Sequence, residues 1–231
     1  MYAAQSGRVD NVKLLLEPGR SLVVVKDKTG HNAIHYAALS GSTEIIKLIV
    51  DSGEVNINLQ GPGRMTAMHL AASKDNLEMI KFLIASGANK TARDKFGRTA
   101  LILAVMNGSF RSANLLLQHG APFDLPDSSK NFPLHYACAY GYPEMIELLM
   151  EAGADPNSLN SWNMSPTTVA LLKNYFECVK KMLEYESTDV NCVDNDGRSL
   201  LSNSVKQMSG RNFEKFIFLL EDKKGDPNSV D

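Results

Sequence analysis

Apolar residues recur at helical spacing along most of the chain, in short stretches separated by polar turns. Ile45, Ile46, Leu48 and Ile49 form one such face. Met79, Ile80, Phe82 and Leu83 form a second, and Met145, Ile146, Leu148 and Leu149 a third. These are the i, i+3, i+4 positions of a half-buried helix. Gly53, Gly87, Gly120 and Gly153 follow such stretches, where a left-handed residue ends a helix. A second kind of segment precedes each face. It carries small residues, Ala37, Ala71, Ala104, Ala137 and Ala170, and is closed by Gly41, Gly108 or Gly141. Small side chains here predict helices that approach their neighbours closely. Thr66, Thr99 and Ser165 are placed to cap these first helices through a side-chain oxygen. Pro133 and Pro166 sit one place later, where a missing N–H costs nothing. Ahead of the helices stand turns such as Asp27-Lys28-Thr29-Gly30. Asp bonds its own backbone there and Gly accepts a positive φ. The pattern predicts a helix pair plus a projecting turn, repeated.

The repetition is visible in His-x-Ala segments. His35-Tyr36-Ala37 and His69-Leu70-Ala71 stand 34 residues apart, and His135-Tyr136-Ala137 follows 66 residues later. Thr99-Ala100-Leu101-Ile102-Leu103-Ala104 fills the gap, with Ile102 at the His position. Ser165-Pro166-Thr167-Thr168 and Ser199-Leu200-Leu201-Ser202 continue the frame, and Tyr2-Ala3-Ala4 precedes it. One unit cannot bury its own apolar face, so stacking must supply the core. About seven units result, near 1–26, 27–60, 61–93, 94–126, 127–159, 160–193 and 194–231, expected to form a single domain.

A period of about 33 with Asp-x-x-Gly-x-Thr-Pro-Leu-His-x-Ala-Ala resembles the ankyrin repeat. Asp27 to Gly30 running on to Gly41, Asp94-Lys95-Phe96-Gly97-Arg98-Thr99-Ala100-Leu101, and Phe132-Pro133-Leu134-His135-Tyr136-Ala137 carry the resemblance, with Gly153-Ala154-Asp155-Pro156-Asn157. It implies an all-α solenoid of stacked helix–turn–helix units. The sixth and seventh units depart from it: Asn163 replaces the turn Gly and Thr168 the His, and the stretch Lys206 to Asn212 is longer than the frame. Irregular geometry and high mobility are expected there. Gly61-Pro62-Gly63-Arg64 reads as the third projecting turn with an extra residue. The apolar run Phe213 to Leu220 and the lead-in Lys224-Gly225-Asp226-Pro227-Asn228 predict a longer protein with further units.

Charge narrows the function. Twenty-four Lys and Arg against 26 Asp and Glu leave a net charge of −2, which argues against nucleic-acid or membrane-surface binding driven by bulk charge. Three cysteines, Cys138, Cys178 and Cys192, form no CxxC pair and suit no disulfide framework. A reducing compartment, cytoplasmic or nuclear, is expected. No apolar run reaches the length of a membrane span. Gly61 to Arg64 lacks the Lys and Ser or Thr of a phosphate loop, and no GxSxG or HExxH occurs. No cofactor, metal, small-molecule substrate or enzyme activity is expected. The resemblance assigns His35, His69 and His135 a structural task, bonding the backbone of neighbouring turns, rather than metal binding.

The resemblance implies instead a protein-interaction scaffold that binds through projecting turns and the concave first-helix face. Large apolar residues fall on those positions in units four to six: Phe96, Met106, Tyr140, Trp162, Met164 and Leu172. A contiguous exposed apolar patch marks an interaction site. Lys95 and Arg98, with Lys28 and Lys74, add a basic rim. The complementary partner is a protein or peptide with a hydrophobic anchor and acidic flanks. A competing expectation packs Phe96 and Trp162 sideways between turns and lets Met164 fill a gap. The second functional reading is a targeting or regulatory arm of a multidomain enzyme. Asn160 to Pro166 with Leu171-Leu172-Lys173 is similar to arrays joined to ADP-ribose polymerases in protists, which implies no catalysis by these residues.

Overall fold

The computed structural model describes residues 1–16, 25–53, 55–200, 202, 203 and 217. Among the described residues are twelve α-helices, one 3-10 turn and a single isolated bridge, Val193 to Ser199. The chain divides into two compact units, Met1–Pro122 and Phe123–Asp231.

The first unit holds α1 (Tyr2–Gln5), α2 (Val9–Leu15), α3 (Ala33–Ser40), α4 (Thr43–Asp51), α5 (Ala67–Ser73), α6 (Leu77–Ala85), α7 (Ala100–Met106) and α8 (Phe110–Gln118). First helices stack in the order α1, α3, α5, α7, and second helices in the order α2, α4, α6, α8. The alanines explain the close first layer: Ala37, Ala71 and Ala104 are wholly buried. Ile45, Ile46 and Ile49 of α4 and Met79, Ile80 and Leu83 of α6 fill the space between the layers. Each such side chain contributes about 1.5–3 kcal/mol by leaving water. The second unit repeats the scheme with α9 (Pro133–Tyr140), α10 (Pro143–Glu151), α11 (Pro166–Leu172) and α12 (Phe176–Leu183). Here α9 packs on α11 and α10 on α12.

Five-residue turns precede the first helices, and one carboxylate organises most of them. Asp94 Oδ1 accepts the N–H groups of Phe96 (2.8 Å) and Arg98 (2.9 Å). Asp127 does the same for Ser129 and Asn131, both at 2.8 Å. The sixth turn, expected to be irregular, keeps this geometry. Asn160 Oδ1 accepts from Trp162 (2.9 Å) and Met164 (3.1 Å), and Asn163 takes the left-handed place at φ 53°. Asn tolerates that region because its short amide bonds locally. The third turn has no extra residue. Gly61 stands at the Asp place, its N–H bonding Met65 O at 2.8 Å as Asp94 N–H bonds Arg98 O at 3.0 Å. Arg64 takes the left-handed place at φ 59°. In the seventh unit, Asp194 bonds Asp196 and Arg198 in the same way. Lys206, Gln207, the run Phe213 to Leu220 apart from the helical, half-buried Ile217, and Lys224 to Asn228 lie outside the described residues.

Candidate interaction surface

Three buried histidines lock the turns onto the helices. His35, His69 and His135 are the third residues of α3, α5 and α9. Each Nδ1 accepts a backbone N–H from its own helix start: Asn32 at 3.4 Å, Thr66 at 3.2 Å and Phe132 at 3.3 Å. An Nδ1 that accepts leaves the proton on Nε2. That proton is donated to the next turn. His35 Nε2 reaches Leu59 O and Met65 O at 3.1 Å, His69 reaches Arg98 O at 3.0 Å, and His135 reaches Met164 O at 3.0 Å. Burial disfavours the imidazolium and pushes all three pKa values down, that of His135 to about 4. The rings are therefore neutral bridges. They fix the main chain at Met65, Arg98 and Met164, the residues that end the third, fourth and sixth turns. Ile102 and Thr168, at the same place in their helices, bring no ring N–H. Ile102 is wholly buried, and Thr168 instead pairs with Ser165 Oγ at 3.1 Å.

The turn carboxylates also hold neighbouring side chains. Tyr36 and Tyr136 donate their hydroxyls to Asp27 and Asp127, each at 2.6 Å. The Tyr36 hydroxyl, helped by Thr29, holds the Asp27 carboxyl well below the usual range. At Asp94 the guanidinium of Arg98 takes that place, with Nε at 2.8 Å and a second nitrogen at 2.7 Å from Oδ2. Burial works to raise the Asp94 pKa, but the Arg98 guanidinium together with the backbone N–H groups of Arg98 and Phe96 outweighs it, and the net direction is down.

On this scaffold the first unit presents a cluster around Phe96. Half of the Phe96 surface is exposed. Lys95 Nζ lies 4.7 Å from the ring centroid and the Arg98 guanidinium 4.6 Å from it, both over the ring. Arg98 also reaches Met106 Sδ at 3.7 Å. Lys95, Phe96, Arg98 and Met106 are thus brought together. In the second unit Tyr140 is 42% exposed and Trp162 50%. Tyr140 lies between Tyr136 and Tyr142, at 6.3 and 6.2 Å with rings nearly parallel. It stacks on its own chain neighbours and not on Trp162. The Trp162 backbone is held at both ends, its N–H by Asn160 and its C=O by the N–H of Asn195 at 3.3 Å. Met106, Met164 and Leu172, expected at the surface, are half-buried. The Met164 backbone anchors both the turn, through its N–H to Asn160 Oδ1, and the ring of His135, through its C=O.

Some of this surface is absent from the sequence reading. Tyr175, Leu159 and Val193 are exposed apolar residues of the second unit. Tyr175 packs so closely over Gly141 that a Cβ there would meet its ring at 2.7 Å. A glycine at the helix end followed by an aromatic 34 residues later was the available signal.

A family model described as Ankyrin repeats (3 copies) matches residues 1–94 and 90–160. The chain belongs to the ankyrin-repeat family. The solved ankyrin repeat domain of Bcl-3, a member of the IkappaB protein family, superposes with a TM-score of 0.80. That match covers 94% of this chain and 96% of that one, at 23% identity, and establishes the shared ankyrin fold. Among curated proteins, the Caenorhabditis elegans poly(ADP-ribose) polymerase tankyrase is 41% identical over 85 residues. Cyclin-dependent kinase inhibitor 2A of Monodelphis domestica is 38% identical over 85 residues, and human ankyrin repeat and SOCS box protein 6 is 31% identical over 128. These matches cover 34%, 36% and 53% of this chain. They span 4%, 49% and 30% of those relatives.

Ankyrin repeats are in general protein–protein interaction modules. Cys138 and Cys178 are buried, and burial pushes the Cys178 thiol up to about 11, far from a reactive thiolate. Among the described residues no group of three His, Cys, Asp or Glu is placed to hold a metal ion, and no helix is long and apolar enough to cross a membrane.

Proposed function

We propose that this ankyrin array is a scaffold that binds a partner protein or peptide through its projecting turns and the exposed ends of its first helices. The observation that carries this reading is the presentation of Phe96, Tyr140 and Trp162. Each is an aromatic side chain left 42–50% exposed on backbone that hydrogen bonds hold fixed. Rigid aromatic anchors bind at low entropic cost, and truncating one costs about 2–4 kcal/mol of affinity when it sits at the centre of an interface. Within the first unit, half-buried Met106 lies against the Arg98 guanidinium beside Phe96, and the exposed Lys95 supplies positive charge there. The partner therefore carries a hydrophobic anchor with acidic flanks. The free thiols suit an encounter in the reducing cytoplasm or nucleus.

Capture from native lysate tests this, comparing the wild-type protein with a Trp162→Ala, Tyr140→Ala variant whose helical content is confirmed by circular dichroism. Partners lost selectively by the variant support the reading. A partner set unchanged in that variant and in Phe96→Ala refutes it.

The identity to a tankyrase favours a second reading, in which the array is the targeting arm of a larger enzyme. A catalytic domain encoded in the same gene would support that reading, and a gene encoding repeats alone would exclude it.

A further inference from the structure

The two units differ in the charge of their turns. In the first unit, turns 27–31, 61–65 and 94–98 hold four basic residues, Lys28, Arg64, Lys95 and Arg98, and two acidic ones, Asp27 and Asp94. Both acids are consumed inside their turns, Asp27 by Thr29, His31 and Tyr36, and Asp94 by Arg98 and two backbone N–H groups. Lys28, Arg64 and Lys95 remain, one from each turn. All three are exposed and, among the described residues, none pairs with a carboxylate. The corresponding turns of the second unit, 127–131, 160–164 and 194–198, hold three acids and two bases.

The three cationic turns are contiguous. Lys26 Nζ donates to Gln60 O at 3.1 Å, tying the second turn to the strand of chain that enters the third. Lys95 N–H donates to Gly63 O at 2.7 Å, tying the fourth turn to the third. Their spacing follows from the helices beneath them. Packed helices lie about 8–10 Å apart, so each turn is displaced from the next by about 10 Å. A peptide in the polyproline II conformation advances about 3.1 Å per residue with three residues per turn, so every third side chain faces the same way. Three residues of such a peptide therefore span one turn-to-turn step.

We infer that Lys28, Arg64 and Lys95 read an acidic peptide in the polyproline II conformation whose carboxylates fall at every third position. This deepens the scaffold reading and rests on it. The cations supply one charge-assisted contact per turn, and the fixed backbone of the turns sets the register. An acidic run with its charges adjacent can satisfy one turn at a time. A run with charges three apart satisfies all three at once. Arg98 takes no part, because Asp94 already holds it.

Fluorescence anisotropy of the 231-residue protein tests the inference with two labelled seven-residue Gly/Ser peptides of equal composition. One carries glutamate at positions one, four and seven, the other three glutamates in a row. The spaced peptide is expected to bind at least about tenfold more tightly at low ionic strength, with the preference shrinking as salt is raised toward a Debye length of about 3 Å at 1 M. Lys28→Glu with Lys95→Glu removes the preference. Lys47→Glu with Lys180→Glu, the same charge change on α4 and α12, leaves it in place. Equal binding of the two peptides overturns the inference, as does a preference that survives in the first double variant. The scaffold reading fails separately: it falls if the wild-type protein captures no partner, whereas capture that persists in the Lys28→Glu, Lys95→Glu variant overturns only the acidic-peptide inference.

Discussion

His135 makes the array acid-sensitive in a calculable way. Its ring is 1% exposed, accepts from Phe132 N–H and donates to Met164 O. The folded pKa is about 4, against 6.5 for the free side chain. The sign follows from which state takes up the proton. Above pH 6.5 the ring is neutral folded and unfolded, and stability does not depend on it. Below pH 6.5 the unfolded chain binds a proton that the folded one refuses, so stability falls as pH drops, until the folded ring titrates near pH 4. The loss is about 2 kcal/mol at pH 5 and approaches about 3 kcal/mol near pH 4. His135→Ile isolates this term, because Ile102 already occupies the equivalent buried place in α7. At pH 7.5 the variant loses the bridge and is less stable by about 1 kcal/mol. Met164 O keeps the N–H of Asn160 at 3.2 Å and is not orphaned. As pH falls the variant escapes the protonation penalty, so the two stability curves cross near about pH 6. Urea unfolding of both proteins at pH 7.5, 6.5, 5.5 and 5.0 measures the difference, and the carboxylate contributions common to both cancel. A wild-type-minus-variant difference that stays constant across this range would refute the neutral-bridge account.

Other substitutions probe the turns. Gly61→Ala places a methyl 2.7 Å from His35 Nε2 on a ring bonded at both nitrogens; a destabilisation of about 1–3 kcal/mol is expected in thermal melts. Lys130→Gly relieves a non-glycine residue at φ 59° and should stabilise by about 1 kcal/mol, less the extra flexibility glycine gives the unfolded chain. Asp94→Ala strips two turn N–H groups and the Arg98 guanidinium of their acceptor; a loss of about 1–3 kcal/mol is expected, together with weaker ordering of the Phe96 cluster visible in hydrogen exchange of residues 94–98.

The fold was legible because its determinants are local and repeated. The buried alanines of the first helices, the apolar faces of α4, α6 and α10, and the His-x-Ala frame are all periodic in sequence and all packed as that period requires. The sixth turn is regular, against the expectation from its residue identities, because the turn depends on an acceptor oxygen and a left-handed residue. Asn160 offers the same acceptor oxygen as Asp, and Asn163 the same left-handed freedom as Gly, so the chemistry persists where the letters change. The third turn keeps its length for the opposite reason. Gly61 lacks the Asp acceptor, yet the backbone bond to Met65 still closes the turn, and the glycine is needed where His35 comes close. The candidate surface was legible only in part. Position in the repeat identified Phe96, Tyr140 and Trp162 as outward-facing, but degree of burial depends on neighbours in the adjacent repeat. Met106 is half-covered with Arg98 against its sulfur, and Tyr175 packs on Gly141 of the preceding repeat, a contact that its place in its own repeat does not announce. The bonds from Tyr36 and Tyr136 to carboxylates nine residues earlier follow a regular spacing that only the helix geometry makes meaningful.

The central claim is that recognition resides on the turns and first-helix ends. Hydrogen–deuterium exchange of the array with and without a captured partner tests it most directly. The account predicts new protection at turns 94–98 and 160–164 and at the ends of α7, α9 and α11, with α8, α10 and α12 unchanged. Protection confined to those second helices would contradict it.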